Sequence, residues 1–312
     1  MQDHSQNLVF GAMMVAFFTI LLAGAFYIPL IGVIILPFIP LPIILYRLRY
    51  NRISTIFVVF SGSLLTLLVG GLYIIPLAVL LGMLGFLIAE SILIGKSKLY
   101  TFMASGIYLI AIGMLGYIIG VLFFNFNVVD LIFQAMNETK GQFLQSFEAT
   151  GMEPKLYESI VESAFVYYQS AIPAMFILMV YVFTFLMVIP NFEVLRRLGH
   201  DVPKFSPFRE MRLPLITIFI YGLFVVLPYM MDMRPESSAY LFYVNATIII
   251  RTLLALQGFA LILYIMHTLK LPKVVSFFSV LLAFLFNPIT TLLGILDIGM
   301  NIRALIGKDN LK

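Results

Sequence analysis

Apolar residues run along this chain in long blocks separated by short polar stretches. The blocks fall at roughly 8–28, 31–46, 53–70, 72–94, 101–123, 170–190, 214–231 and 239–267, and a last apolar stretch covers 274–300. A helix needs about 20 apolar residues to cross the hydrocarbon core, so the pattern predicts an all-α polytopic membrane protein with eight transmembrane helices. The second block is short and carries Pro37, Pro40 and Pro42. Those prolines leave backbone groups unbonded, which is tolerable only under cover of protein or a cavity. Asn287-Pro288 interrupts the last stretch. One straight helix there would strand Arg303, Lys308 and Lys312 outside, whereas two half-helices in a re-entrant hairpin would bring them back. We expect the hairpin.

Charge orders these blocks. If every block crosses, Arg47, Arg49, Arg52, Lys96, Lys98, Arg196, Arg197, Lys204, Arg209, Arg212, Lys270 and Lys273 share one side, against Lys140, Lys155 and Arg234 on the other. Cytoplasmic loops retain Lys and Arg, so the N-terminus is expected in the cytoplasm of a bacterial plasma membrane. The chain has no Trp. Tyr27, Tyr46, Tyr50, Tyr73, Tyr100, Tyr168, Tyr229 and Tyr240 fall at block ends and supply the interfacial belt instead.

Residues 124–169 are too polar to cross. Val128, Val129, Ile132, Phe133 and Met136 recur at a helical period after Asn127, and Gly151 is a natural stop. A second helix is expected from Pro154 through Tyr157, Ile160, Val161, Ala164, Phe165 and Tyr168 into the sixth block. Asp130, Glu138, Glu148, Glu153, Glu158 and Glu162 against two lysines make this segment net negative by four. It reads as an amphipathic pair on the outer leaflet, or as a lid over an outward-opening cavity.

Small residues at helical spacing mark faces where helix backbones approach in lipid. One stripe is Ala12, Ala16, Thr19 and Ala23, a second Ala78, Gly82, Gly85 and Ala89, a third Gly106, Gly113 and Gly120 with Gly116. They suggest a tightly packed first bundle, with the Ala12/Ala16 face either packed internally or docked on a partner membrane protein. Nothing comparable marks the blocks after residue 213.

Composition agrees: 62% apolar, 11% charged, mean hydropathy +1.06. Without cysteine there are no disulfides, thiol nucleophiles or zinc–thiolate sites. The histidines, His4, His200 and His267, lie at no metal-ligand spacing. The first block follows a polar rather than basic start and has no clean cleavage site, so no signal peptide is expected. A pI near 9.1 reflects topology rather than nucleic acid. No HExxH, GxSxG or phosphate-cradling loop occurs, so neither an enzyme nor a cofactor is expected, and any energised activity needs a partner to supply ATP.

The candidate chemistry lies inside the bilayer. Arg251 is near the middle of the 239–266 block, where a guanidinium finds no water and cannot shed its proton. It shares a helix face with Thr247 and Gly258. Asp297 and Glu90 are the acids within apolar blocks, and Asp297 is the better partner because Glu90 is close enough to a span end to snorkel. Arg251 therefore reads as half of a structural Arg251–Asp297 pair or as a cavity residue that binds a carboxylate or phosphate. A helix broken at Asn287-Pro288 could contribute backbone ligands, as in transporters, or mark a simple re-entrant turn.

The loop Asn191-Phe192-Glu193-Val194-Leu195-Arg196-Arg197-Leu198-Gly199-His200-Asp201-Val202-Pro203-Lys204-Phe205, with Pro207-Phe208-Arg209-Glu210 and Arg212-Leu213-Pro214, resembles YybS-type membrane proteins of Firmicutes. The ending Leu293-Gly294-Ile295-Leu296-Asp297-Ile298-Gly299 with Arg303, and the turn from Ile28-Pro29 to Pro40-Leu41-Pro42, resemble the same family. That resemblance covers nearly the whole chain and transfers no site residues. More distantly, residues 1–195 are similar to S components of energy-coupling-factor vitamin transporters: six spans, an inside N-terminus and an AxxxA face at Ala12 and Ala16. That likeness implies a coupling face on the first helix and substrate bound near the outer surface. The chain departs from it in the long 124–169 insert and in the residues after 195.

The reading is thus an S-component-like bundle over 1–195 and a basic loop with membrane helices over 196–312. Its expected function is binding, with or without translocation, of a small or lipid-like solute together with partner subunits. Ligand-binding candidates are Arg251, Asp297, Asn287 and Thr247; partner-binding candidates are Ala12 and Ala16. The alternative is a non-transporting scaffold or regulator that docks partners through its basic loop and outer helices. The orientation has a direct check in this cysteine-free chain. Ser97→Cys and Ser206→Cys should resist an impermeant thiol reagent in intact cells while Gln142→Cys labels; labelling of Ser206→Cys from outside would reverse the topology.

Overall fold

The computed structural model describes residues 2–148, 154–204, 206–231, 233–235 and 237–309. Every regular element among them is helical. In chain order these are α1 (Gln2–Tyr27), α2 (Pro29–Ile35), α3 (Leu41–Arg49), α4 (Arg52–Leu65), α5 (Leu67–Gly70), α6 (Ile75–Leu93) and α7 (Lys98–Phe124). The outer pair α8 (Val128–Glu148) and α9 (Pro154–Ser170) comes next. Then come α10 (Ile172–Arg197), α11 (Ile216–Met230), α12 (Ser238–Thr268), α13 (Lys273–Leu285), α14 (Asn287–Met300) and α15 (Ile302–Asp309). Among the described residues, six stretches are long and apolar enough to cross a membrane, or seven if α13 and α14 count as one bent span. The all-helical polytopic architecture therefore stands, while the count of eight is not established. Helix α11 has 15 residues, about 22 Å, less than the roughly 30 Å hydrocarbon core. The run Arg52–Leu93 is helical almost throughout, yet it folds back on itself. A Cβ on Gly82 of α6 would stand 2.8 Å from Val59 Cγ1 of α4, residues that one straight helix would hold roughly 35 Å apart. The reversal is at Gly70-Gly71, where Gly71 adopts φ +70, a left-handed conformation that costs glycine little.

The chain divides into two compact units, residues 1–127 with 179–205, and 128–178 with 206–312. The α8–α9 pair and the start of α10 thus belong with the C-terminal helices rather than with the first bundle. In the first unit, Phe18 and Leu22 of α1, Ile43 and Ile44 of α3, Val59 of α4, and Leu81, Leu84 and Ile88 of α6 are buried. The predicted α6 stripe is part of this core: Ala78 and Ala89 are fully buried, and a Cβ on Gly85 would meet the Pro40 carbonyl at 2.7 Å. The proline-rich segment breaks into α2, a 3-10 turn at Leu36–Phe38, and α3. Its unbonded Pro37 carbonyl accepts from Asn191 Nδ2 of α10 at 2.7 Å, inside protein, as the prolines required. The α7 stripe behaves differently. Gly106 packs on the Tyr181 ring, but a Cβ on Gly116 would meet nothing within 4 Å. Ala12 and Ala16 are exposed on α1.

In the second unit, α8 and α9 form a hairpin stapled by Phe147 on Tyr157 (5.3 Å between centroids), Phe143 against Phe165, and a Lys140–Glu162 ion pair. Gly151 and Glu153 lie outside the described residues. Helix α14 crosses α12 at a pair of glycines. A Cβ on Gly258 would stand 2.0 Å from the Thr290 carbonyl oxygen, and one on Gly294 2.0 Å from that of Leu254. The closest backbone approach is therefore among the late helices, where no stripe announced it. Helices α13 and α14 meet at 105° across Phe286, so the Asn287-Pro288 break is real. Beyond Gly294 the chain runs alongside α12 in the same sense, since Arg303 lies over Tyr264 while Gly294 touches Gly258.

These contacts give opposite signs to one substitution. Gly258→Ala and Gly294→Ala should each destabilise the detergent-solubilised protein by about 3 kcal/mol or more, because backbone cannot yield to the added carbon. Gly116→Ala should be neutral or stabilising by up to about 1 kcal/mol, the helix-propensity gain at an open position. Equal thermal shifts for all three would refute the glycine crossing.

Candidate functional site

Helix α12 is the rod on which the second unit's polar residues are mounted. It starts at Ser237, whose hydroxyl accepts from Tyr240 N–H, an N-cap suited to serine. Two turns further in, Asn245 repairs a helix break. Pro173 has no N–H and its ring displaces the carbonyl four residues back, so the α9–α10 helix opens at Ala171. Asn245 Nδ2 donates to the Ser170 carbonyl at 2.7 Å, and its Oδ1 accepts from Ala174 N–H at 2.6 Å. The side-chain amide stands in for the missing i→i−4 bond at both ends.

Arg251 lies about 20 Å along α12 from Ser238, near the middle of that 31-residue helix. It is exposed, and it forms neither a hydrogen bond nor an ion pair among the described residues. Side chains on a helix lean toward its N-terminus, so the guanidinium extends toward Thr247 and the α9 end. Its charge is felt there: burial pushes the Tyr167 phenol up, and the Arg251 guanidinium opposes the rise. Thr247, one turn away, has a buried hydroxyl without a hydrogen-bond partner. Thr252 and Thr268 on the same helix bond the carbonyl four residues back, so of its threonines Thr247 alone leaves the hydroxyl unbonded.

Asp297 is not the partner of Arg251; it belongs to Arg303. Both side chains are almost fully buried. Arg303 Nε donates to Asp297 Oδ2 at 2.9 Å, and Nη2 stands 2.8 Å from the same oxygen but off the hydrogen-bond axis, without an acceptor of its own. Nη1 donates to the Arg209 carbonyl at 2.7 Å, and the guanidinium lies 5.4 Å from the Tyr264 ring. Gln257 completes the group: Nε2 donates to Asp297 Oδ2 at 2.6 Å while Oε1 accepts from Leu213 N–H at 3.0 Å. The cause is local. Asn301 adopts φ +50, which folds α15 back so that a cation six residues on reaches the carboxylate first. Arg303 is the functional-group residue that sequence reasoning missed; its only signal was a cation following an asparagine suited to a left-handed helix end. The bond to Arg209 places Arg303 beside the basic loop.

Asn287 heads α14, and its carbonyl accepts from Thr291 Oγ1 at 3.0 Å. Thr290 Oγ1 donates to the Ala283 carbonyl at 2.6 Å, so the break closes its own backbone and Asn287 is not joined to Arg251. Glu90, in the first unit, is shared by Arg47 (2.8 Å) and Arg52. No three His, Asp or Glu among the described residues gather as metal ligands.

The two arginines should respond differently to mutation. Removing one partner of a buried pair costs about 3–5 kcal/mol, whereas replacing both by apolar groups approaches neutrality. Arg303→Met with Asp297→Leu should therefore be more stable in thermal denaturation than Asp297→Leu alone. Arg251→Ala and Asp297→Ala should add within about 0.5 kcal/mol, as residues without contact do; strong coupling between them would overturn the pairing described.

The description "Predicted membrane protein (DUF2232)" matches residues 16–298. The chain is 26% identical over 308 residues to the uncharacterized protein YybS of Bacillus subtilis (strain 168), covering 96% of this chain and 98% of that one. No solved structure matches. With multiple membrane-spanning helices and a family match across most of its length, this chain belongs to the DUF2232 family of predicted membrane proteins.

Proposed function

We propose that this protein binds a solute with an anionic group, small or lipid-like, at Arg251, and that it works with partner subunits. The observation behind this reading is the contrast between the arginines. The one acid that could neutralise Arg251 from a neighbouring late helix is committed to Arg303. That leaves a guanidinium at bilayer depth with its charge uncompensated among the described residues, beside a buried hydroxyl without a partner. A planar fork of donors suits a carboxylate or a phosphate equally. The positive-inside distribution supports a cytoplasmic N-terminus in the bacterial plasma membrane, with Arg251 reached from the side of α8 and α9. Binding, with or without translocation, needs no catalytic step or cofactor. An ATP-driven module would be the partner if transport is energised. The exposure of Ala12 and Ala16 on α1 leaves that face open to a partner subunit, and the scaffold alternative would instead use the basic loop and the α8–α9 pair.

Purification of the full chain and of Arg251→Gln from native membranes, followed by mass spectrometry of co-purified small molecules and lipids, tests the site. An anionic compound should accompany the wild type and be lost from the variant. Stability of the variant should change by no more than about 0.5 kcal/mol, since an exposed side chain contributes little packing. Identical co-purified profiles would remove Arg251 from the account and leave the scaffold.

A further inference from the structure

The first unit contains a groove of about 570 Å³ between α1 and α4. It remains open because its walls are built from small side chains, Gly11 and Ala12 on one side, Ser54 and Ser61 on the other. Most of its lining is apolar, but one end is polar. There the Tyr46 hydroxyl donates to Asn7 Oδ1, and Asn51 caps α4 by accepting from Ser54 N–H at 2.8 Å. The chain between Tyr46 and Ser54, both of which line the groove, carries Arg47, Arg49 and Arg52. Arg47 and Arg52 share the single carboxylate of Glu90. Arg49 is exposed, pairs with no acid among the described residues, and lies 4.9 Å from the Phe10 ring. Among the described residues these three cations therefore exceed their acid partner by two charges, on the segment that joins two lining residues of an apolar slot in a chain that lives in lipid.

We infer that the groove is a binding site for an anionic phospholipid: one acyl chain lies in the slot against Ala12 and Ser61, and the phosphate meets Arg49 at the polar end. Each Arg near a membrane surface contributes about 1 kcal/mol toward an anionic lipid, a factor of roughly five in preference. Charge complementarity favours an anionic lipid over an apolar partner helix, which would bring no anion to the Arg49 guanidinium. The site is separate from Arg251 and stands whether or not a solute binds there.

The chain has no Trp, so a single introduced one reports alone. Leu8→Trp places it on the groove wall at a position 73% exposed. Leu99→Trp, 63% exposed and following Lys98, offers nearby cations without a groove. Each full-length variant is reconstituted in phosphatidylcholine vesicles holding a minor fraction of dibrominated phosphatidylglycerol or, separately, dibrominated phosphatidylcholine. At Leu8→Trp the anionic lipid should quench in marked excess over the neutral one, and at Leu99→Trp nearly equally. Adding Arg49→Gln should cut the excess by roughly fivefold, and adding Ser61→Phe, which fills the slot, should abolish it. Equal quenching by both lipids at Leu8→Trp would overturn the inference, as would the same anionic excess at Leu99→Trp. Absence of quenching by either lipid would show the groove covered by protein and overturn it too.

Discussion

A backbone group freed at a helix break inside a bilayer has no water to turn to, and side-chain amides and hydroxyls of this chain take water's place. Asn245 enters the gap opened by Pro173 and bonds both of its ends. Asn191 takes the Pro37 carbonyl, and Thr290 takes that of Ala283 across the Phe286 bend. Gln257 receives Leu213 N–H at the end of the basic loop. The discontinuous helices that shorten α2, α9 and α13 are possible because such partners come from a neighbouring helix or the next turn. An unpaired amide or carbonyl in their place would cost several kcal/mol.

The glycine crossing sets which partners are in reach. With Gly258 and Gly294 back to back, α14 lies so close to α12 that Gln257 can bond Asp297 directly. The turn at Asn301 then carries Arg303 over Tyr264 and onto the Arg209 carbonyl. A buried ion pair contributes little net stability against an apolar equivalent. Its effect here is positional, because it joins loop, rod, α14 and terminal helix through one carboxylate.

Periodicity made faces legible but not what they face. The α6 stripe is buried as its spacing implied, while the α7 stripe of the same grammar has open space at Gly116. A glycine stripe reports bare backbone; whether another helix comes to it depends on chain elsewhere. In the sequence Gly258 reads only as part of the Arg251 face, and its contact with Gly294 escapes notice for the converse reason: each is a single glycine, and the close approach exists only as a pair from two helices. Helices α8 and α9 were legible as helices because an amphipathic pattern runs along each, and the start of α8 at Val128 follows directly on Asn127. The partner of Asp297 was illegible because it lies past a left-handed residue, and such a turn changes the direction of the chain more than spacing can encode. Folding α4 back on α6 was legible only as two blocks separated by Gly70-Gly71.

Arg251 acquires its meaning from this background. The same unit surrounds Arg303 with a carboxylate, a carbonyl and an aromatic face, and it mends three backbone breaks with side chains. A fold able to satisfy those groups does not lack the means to satisfy another guanidinium. Arg251 nevertheless points along α12 toward Thr247 and Tyr167 with no acid beside it among the described residues. Leaving a permanent charge at that depth is costly for the protein alone, and the cost is recovered once an anion or an aqueous path reaches it. The residue that the packing leaves unanswered is therefore the one to which the proposed anion is assigned.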